Sequence, residues 1–182
     1  MLDYDPEEVY KQLSSMPVRE LVANSPSILG KYPNTYTYTK ALCERLMKLR
    51  RGDLTMAIVR PAIINTSYKE PFPGWLDSIA AAAAYYMFAG LGIVKEVECN
   101  PDGIGDTVAV DVVVANIIVA TAFNAFNKKL SIYHVGSSDR NPIAWSNVQN
   151  LINDFWSKNV SQSRVAKPGV MLTTSKFKLK YE

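Results

Sequence analysis

Gly52-Asp53-Leu54-Thr55-Met56-Ala57-Ile58-Val59-Arg60-Pro61 is the stretch that decides the fold. Thr55 to Arg60 is an apolar run of strand length, and Pro61 closes it. Only Gly52, Asp53 and Leu54 separate it from a helix running from about Tyr36 to Arg51, with Gly52 as its C-terminal cap. A helix that hands over to a strand this quickly is returning to a parallel sheet.

Upstream, Pro6 to Met16 and Pro17 to Ala23 read as short helices, each opened by a proline at a tolerated first position. Asn24 to Asn34, with Pro26, Gly30 and Pro33, reads as a loop. Downstream, a polar loop from Asn65 to Trp75 leads into an Ala-rich helix. Ile93 to Cys99 and Thr107 to Val110 are expected strands about an Asn100-Pro101-Asp102-Gly103 turn. Asp111 is placed to N-cap Val112 to Phe126, which is apolar nearly all round and so expected to be buried on more than one side. Leu130 to Val135 reads as a strand, and Asn141-Pro142 as the start of a helix over Ile143 to about Ser157. Helices alternating with short apolar strands predict an α/β fold with a mainly parallel sheet. Residues 161–182 read as an extended tail or linker.

The 182 residues are 48% hydrophobic and 20% charged, which excludes a disordered chain. A net charge of +3 gives no nucleic-acid footprint. Lys40, Arg45, Lys48, Arg50 and Arg51 along one helix, and Lys176, Lys178 and Lys180 near the C-terminus, read as solvated faces. Cys43 and Cys99 are too few for a disulfide framework and have no metal-ligand spacing, so no metal is expected. Cys43 is expected to be a buried free thiol, and the single histidine, His134, to be structural. Ser78 to Val94 carries no charge, yet it is short and Ala-rich, and a packed helix is expected rather than a membrane span.

Tyr36-Thr37-Tyr38-Thr39-Lys40 carries the chemistry. Side chains at i and i+4 share a helix face, so the Lys40 ammonium can reach the Tyr36 phenol. A nearby positive charge favours the phenolate, which suits a phenol for passing a proton to a carbonyl oxygen. The same spacing also fits a half-buried tyrosine beside a solvated lysine. Tyr38 points to another face and is expected to pack. A dinucleotide-binding fold also needs a Gly-rich turn after its first strand, and no G-x-G-x-x-G or close variant is present. The expectation is the second half of a nicotinamide-dependent domain without the first.

Lys31-Tyr-Pro-Asn-Thr-Tyr36-Thr-Tyr-Thr-Lys40-Ala-Leu-Cys-Glu44 resembles the active-site helix of the alcohol-forming fatty acyl-CoA reductases, the male sterility branch of the extended short-chain dehydrogenase/reductases. Val59-Arg60-Pro61 followed by Lys69-Glu70-Pro71-Phe72-Pro73-Gly74-Trp75 is similar to that branch's signature. Cys99 to Asp102, Thr107 to Val113 and Asn141 to Trp145 match further blocks in order. The resemblance covers about Met16 to Trp156.

It implies a partial Rossmann-like fold lacking the N-terminal Gly-rich half. Residues 1–160 would be the C-terminal portion of the NADP-binding domain, and 161–182 a link to a missing C-terminal domain. The implied function is reduction of a long-chain fatty acyl-CoA with NADP(H), through the aldehyde, to a fatty alcohol. Tyr36 would donate the proton and also contact the cofactor, whose nicotinamide ribose Lys40 would hold. Arg60, Pro61, Ala62, Ile63 and Ile64 would lie along the nicotinamide. Trp75 either lines the acyl channel or anchors its loop on the core. Ala80 to Ala84 and Tyr85-Tyr86 stand where the family usually has Gly and Pro, a difference that could reshape the acyl pocket.

The family also implies an intracellular setting at the endoplasmic reticulum or peroxisome. Membrane association is expected only through segments outside this chain, and a protein assembly is possible. Alone, the polypeptide is expected neither to bind NADPH tightly nor to reduce acyl-CoA. The alternatives are an extended reductase or epimerase acting on another carbonyl compound, or a non-catalytic scaffold that kept a reductase half-fold. The Lys69 to Trp75 block argues against the epimerase.

Overall fold

The computed structural model describes residues 5–80, 82–126 and 129–174. Lys176, Lys178 and Lys180 therefore lie outside the described residues, as does the end of the expected tail. The chain divides into two units, Met1–Ile58 with Phe123–Ser131, and Val59–Ala122 with Ile132–Glu182.

The first unit is helical over most of its length. Asp5 caps α1 (Pro6–Ser15) by accepting from the Glu7 amide at 2.8 Å, and α2 (Val18–Ala23) follows. The expected loop over Asn24 to Asn34 contains a five-residue helix, α3 (Ser25–Leu29). Its proline sits in the first turn, where a missing N–H costs nothing, and Gly30 at φ 54° ends it. The longest helix, α4 (Thr35–Arg50), starts at Asn34, whose side chain accepts from the Thr37 amide at 2.9 Å. Its buried stripe is Tyr38, Leu42 and Leu46, one turn apart, packed on Val9 and Leu13 of α1 and on Ile28, Leu29 and Tyr32. Tyr38 packs as expected. Cys43 does not: it is exposed, because it falls one residue off that narrow stripe. The basic face is partly neutralised, since Arg50 forms a bidentate pair with Glu7 at 2.6 and 2.9 Å.

β1 (Met56–Pro61) pairs with β5 (Leu130–Val135), and the unit boundary runs through both strands. The second unit adds parallel strands. A strand not expected from the sequence, β2 (Ile63–Asn65), runs parallel to β4 (Thr107–Ala109). In the same way β3 (Glu96–Glu98) runs parallel to β6 (Met171–Thr173), so the expected tail includes a strand. The fold is α/β with parallel pairing, although the described strands form three two-stranded sheets rather than one. Val108, Val113 and Val135 form the buried core of this unit, with Val59 and Ala62 against it.

Three helices complete the description. α5 (Ala82–Gly90) is the Ala-rich segment, and among the described residues no helix is long and apolar enough to cross a membrane. α6 (Val110–Asn124) is not buried on several sides: Val113 and Ala120 are buried, while Ile118, Val119 and Phe123 are more than 60% exposed. Only one stripe of it meets the core, because uniform apolarity does not select how many neighbours a helix has. α7 (Trp145–Lys158) begins later than expected, without a side-chain cap. The Trp145 amide donates to the Gly103 carbonyl at 3.0 Å and the Ser146 amide to the Pro101 carbonyl at 2.9 Å. These bonds satisfy orphan donors of the first turn from another part of the chain, so Asn141 and Pro142 stay outside the helix.

Candidate active site

In the first unit, Tyr36 lies on the side of α4 away from the Tyr38–Leu42–Leu46 stripe and is 68% exposed. Lys40 is also exposed, and its Nζ lies 5.7 Å from the centre of the Tyr36 ring. The expected i to i+4 pairing is therefore formed, at a distance where the ammonium still feels the ring face. Both polar ends are open to a ligand rather than walled into the core.

In the second unit, the Arg60 to Ile64 stretch is held from two directions. The Ala62 amide donates to the Val135 carbonyl at 2.8 Å, and the Ile63 amide to the Asp106 carbonyl at 3.2 Å. The register then continues as Ile63 with Thr107 and Ile64 with Val108. Arg60, Pro61, Ile63 and Ile64 are exposed and Ala62 is half-buried.

The signature loop closes on itself. Ser67 and Trp75 are joined by the Ser67 amide to the Trp75 carbonyl at 3.1 Å, Gly74 returns a bond to the Ser67 carbonyl at 2.9 Å, and Glu70–Pro71 is cis. Gly74 takes φ 83°, a conformation suited to glycine. The loop is anchored by Asp111, whose carboxylate accepts from the amides of Tyr68 at 2.9 Å, Lys69 at 2.8 Å and Glu70 at 3.1 Å. Asp111 thus lies inside α6 and is not its N-cap. These bonds, Tyr68 foremost, hold its carboxyl down to about 2 against the opposing pull of desolvation. Sequence reasoning missed this anchor, because its partners lie more than forty residues away.

The second unit also has an open cavity of about 530 Å3, lined by Ile63, Tyr85, Tyr86, Thr107, Val148 and Gln149 among others. That is an ordinary size for a small-molecule site. Trp75 is half-buried in its loop rather than on this wall. The Tyr85 hydroxyl donates to Gln149 Oε1, and Gln149 Nε2 donates to Asn153 Oδ1 at 2.9 Å. Asn153 then bonds both the carbonyl and the amide of Val170, each at 3.1 Å. Burial pushes the Tyr85 phenol upward, so it stays neutral. Tyr86 Oη accepts from Asn65 Nδ2 at 2.8 Å.

The NAD-binding family described as "Male sterility protein" matches residues 4–117. Fatty acyl-CoA reductase 1 of Xenopus laevis is 32% identical over 173 residues, 94% of this chain and 34% of that protein. The human protein of that name gives the same figures. Fatty acyl-CoA reductase 2 of Mus musculus is 34% identical over 159 residues, covering 86% of this chain and 31% of that protein. Among solved structures, UDP-glucose 4-epimerase from Thermotoga maritima aligns with a TM-score of 0.42 at 14% identity, over 76% of this chain and 40% of that one. The chain spans about a third of the length of the curated relatives it matches. With the family match running over more than half of its residues, through both the Tyr36 helix and the signature loop, the chain belongs to the male sterility protein family.

Proposed function

We propose that this chain supplies the proton-donor helix and substrate-binding residues of a fatty acyl-CoA reductase that makes a fatty alcohol with NADPH. The carrying observation is the exposed Tyr36 phenol with the Lys40 Nζ 5.7 Å from its ring, in a chain whose relatives are named fatty acyl-CoA reductases. An exposed phenol and ammonium on one face form a donor set that suits a carbonyl oxygen and the hydroxyls of a ribose.

NADPH, when bound, supplies the hydride for both rounds of reduction. Lys40 would hold its ribose, and Arg60, Pro61, Ala62, Ile63 and Ile64 its nicotinamide. In the first round the thioester carbon would take hydride and coenzyme A would leave as a thiolate that takes a proton from water, giving the aldehyde. In the second, the Tyr36 hydroxyl would give its proton to the aldehyde oxygen as the carbon is reduced, leaving the alcohol. The bound acyl-CoA, the preference for NADPH over NADH and the alcohol product all belong to this proposal.

The test is Tyr36→Phe in the complete reductase that carries this chain. Loss of a positioned proton donor should lower kcat by about 10²–10⁴-fold. NADPH affinity, read by fluorescence titration, should stay near the wild-type value. Turnover of the variant comparable to wild type would remove Tyr36 from the reaction.

A further inference from the structure

We infer that the cavity of the second unit is the alkyl-chain pocket of this enzyme and that Val148 on α7 helps set the acyl length it accepts. The inference rests on the reading as an acyl-CoA reductase and adds where the chain goes and which wall measures it.

Three polar side chains of the cavity wall, Tyr85, Tyr86 and Gln149, are already hydrogen-bonded within the protein. Tyr85 is tied to Gln149, Gln149 to Asn153, and Asn153 to the backbone of Val170, while Tyr86 is tied to Asn65. A site built to recognise a sugar or nucleotide needs hydroxyl and amide partners waiting for the ligand, because discrimination comes from buried groups left unpaired without it. Here the wall is mostly apolar, built from Ile63, Val97, Val148, Leu172 and aromatic rings, with Thr107 beside them. Glu98, the charged residue of the lining, is solvent-exposed. An alkyl chain needs no partners and gains from every methylene it removes from water.

Placement agrees with this chemistry. Ile63 belongs both to the cavity wall and to the Arg60 to Ile64 stretch proposed to lie along the nicotinamide. A chain occupying the cavity therefore starts beside the segment assigned to the reacting end. Val148 is half-buried on α7 and lines the same cavity as Val97 and Leu172 of the paired strands β3 and β6. Enlarging it shortens the space, and trimming it lengthens the space.

The experiment measures kcat/KM of the complete reductase, with saturating NADPH, over a series of saturated acyl-CoAs of increasing length. For the wild type, kcat/KM should rise by up to roughly fourfold per added methylene until the cavity is full, then level off. Val148→Phe should move that plateau to shorter chains, and Val148→Ala to longer ones. A Val148→Phe protein with the wild-type unfolding midpoint and an unmoved length profile overturns the pocket assignment but leaves the reductase reading intact. A wild-type protein that reduces no acyl-CoA of any length overturns the reductase reading, and the pocket with it. If Val148→Phe does not fold, Val148→Ala and Leu172→Val carry the same test, and an unmoved profile in both is the refuting result.

Discussion

Gly90→Ala is the sharpest probe of how the second unit is packed. Gly90 is the last residue of α5 and is buried against α7. A Cβ built on it would lie 2.5 Å from Trp156 Cζ2, and nearer still to the adjoining Cδ2 and Cε2. Carbon atoms in contact prefer roughly 3.5–4.0 Å, so the indole or the helix must move by about 1 Å. Forcing an extra methyl into a packed interface costs about 1–3 kcal/mol. The opposing gain from replacing glycine in a helix is at most about 1 kcal/mol, and less at a helix end. Overpacking wins, and a net loss of about 1–2 kcal/mol is expected. At roughly 2–4 °C per kcal/mol for a chain of this size, the thermal midpoint should fall by several degrees. Urea unfolding followed by fluorescence gives the free energy, and the same substitution made alongside Trp156→Leu isolates the contact. In that background the methyl has room, so Gly90→Ala should become neutral or stabilising. A Gly90→Ala protein more stable than wild type, with Trp156 intact, would mean that helix propensity governs and that the close approach is not there.

Asp111→Asn should release the signature loop: amide hydrogen exchange at Tyr68, Lys69 and Glu70 should quicken, and wild-type protection in the variant would refute the anchor. Since folding lowers the Asp111 carboxyl from its ordinary 3.8 to about 2, its contribution is fully present above pH 3.8 and is lost as pH falls through about 2. Amide resonances of residues 68–70 should therefore titrate near the lower value; a midpoint close to 4 would count against the three bonds. Glu7→Gln breaks the Glu7–Arg50 pair, yet both side chains are solvent-accessible, 27% and 50%, and the unfolding midpoint should not move beyond error. A drop of several degrees would show that the pair has a structural role.

Much of the first unit, the Tyr36–Lys40 pair included, was legible in the sequence. The α4 helix and the pairing of Tyr36 with Lys40 depend on residues within four positions of one another. Such contacts follow from helical geometry alone. Cys43 was misjudged because composition cannot say how wide the buried stripe is. Tyr38, Leu42 and Leu46 suffice to cover the neighbouring helices, and the next residue along is left outside. The apolar α6 failed in the same way, its hydrophobicity measuring surface but not coverage.

Local chemistry determined the helix that carries the phenol and ammonium, the strand that follows it, and the family blocks that place the chain among the male sterility proteins. Tertiary structure alone decided where the Asp111 carboxylate points, where α7 begins and what lines the cavity. Each depends on partners dozens of residues apart: Asp111 with the loop at 68–70, the Trp145 amide with Gly103, and β6 with β3. The energy that settles such choices comes from pairing backbone groups and closing apolar surface across the chain. Neither exists until distant segments meet.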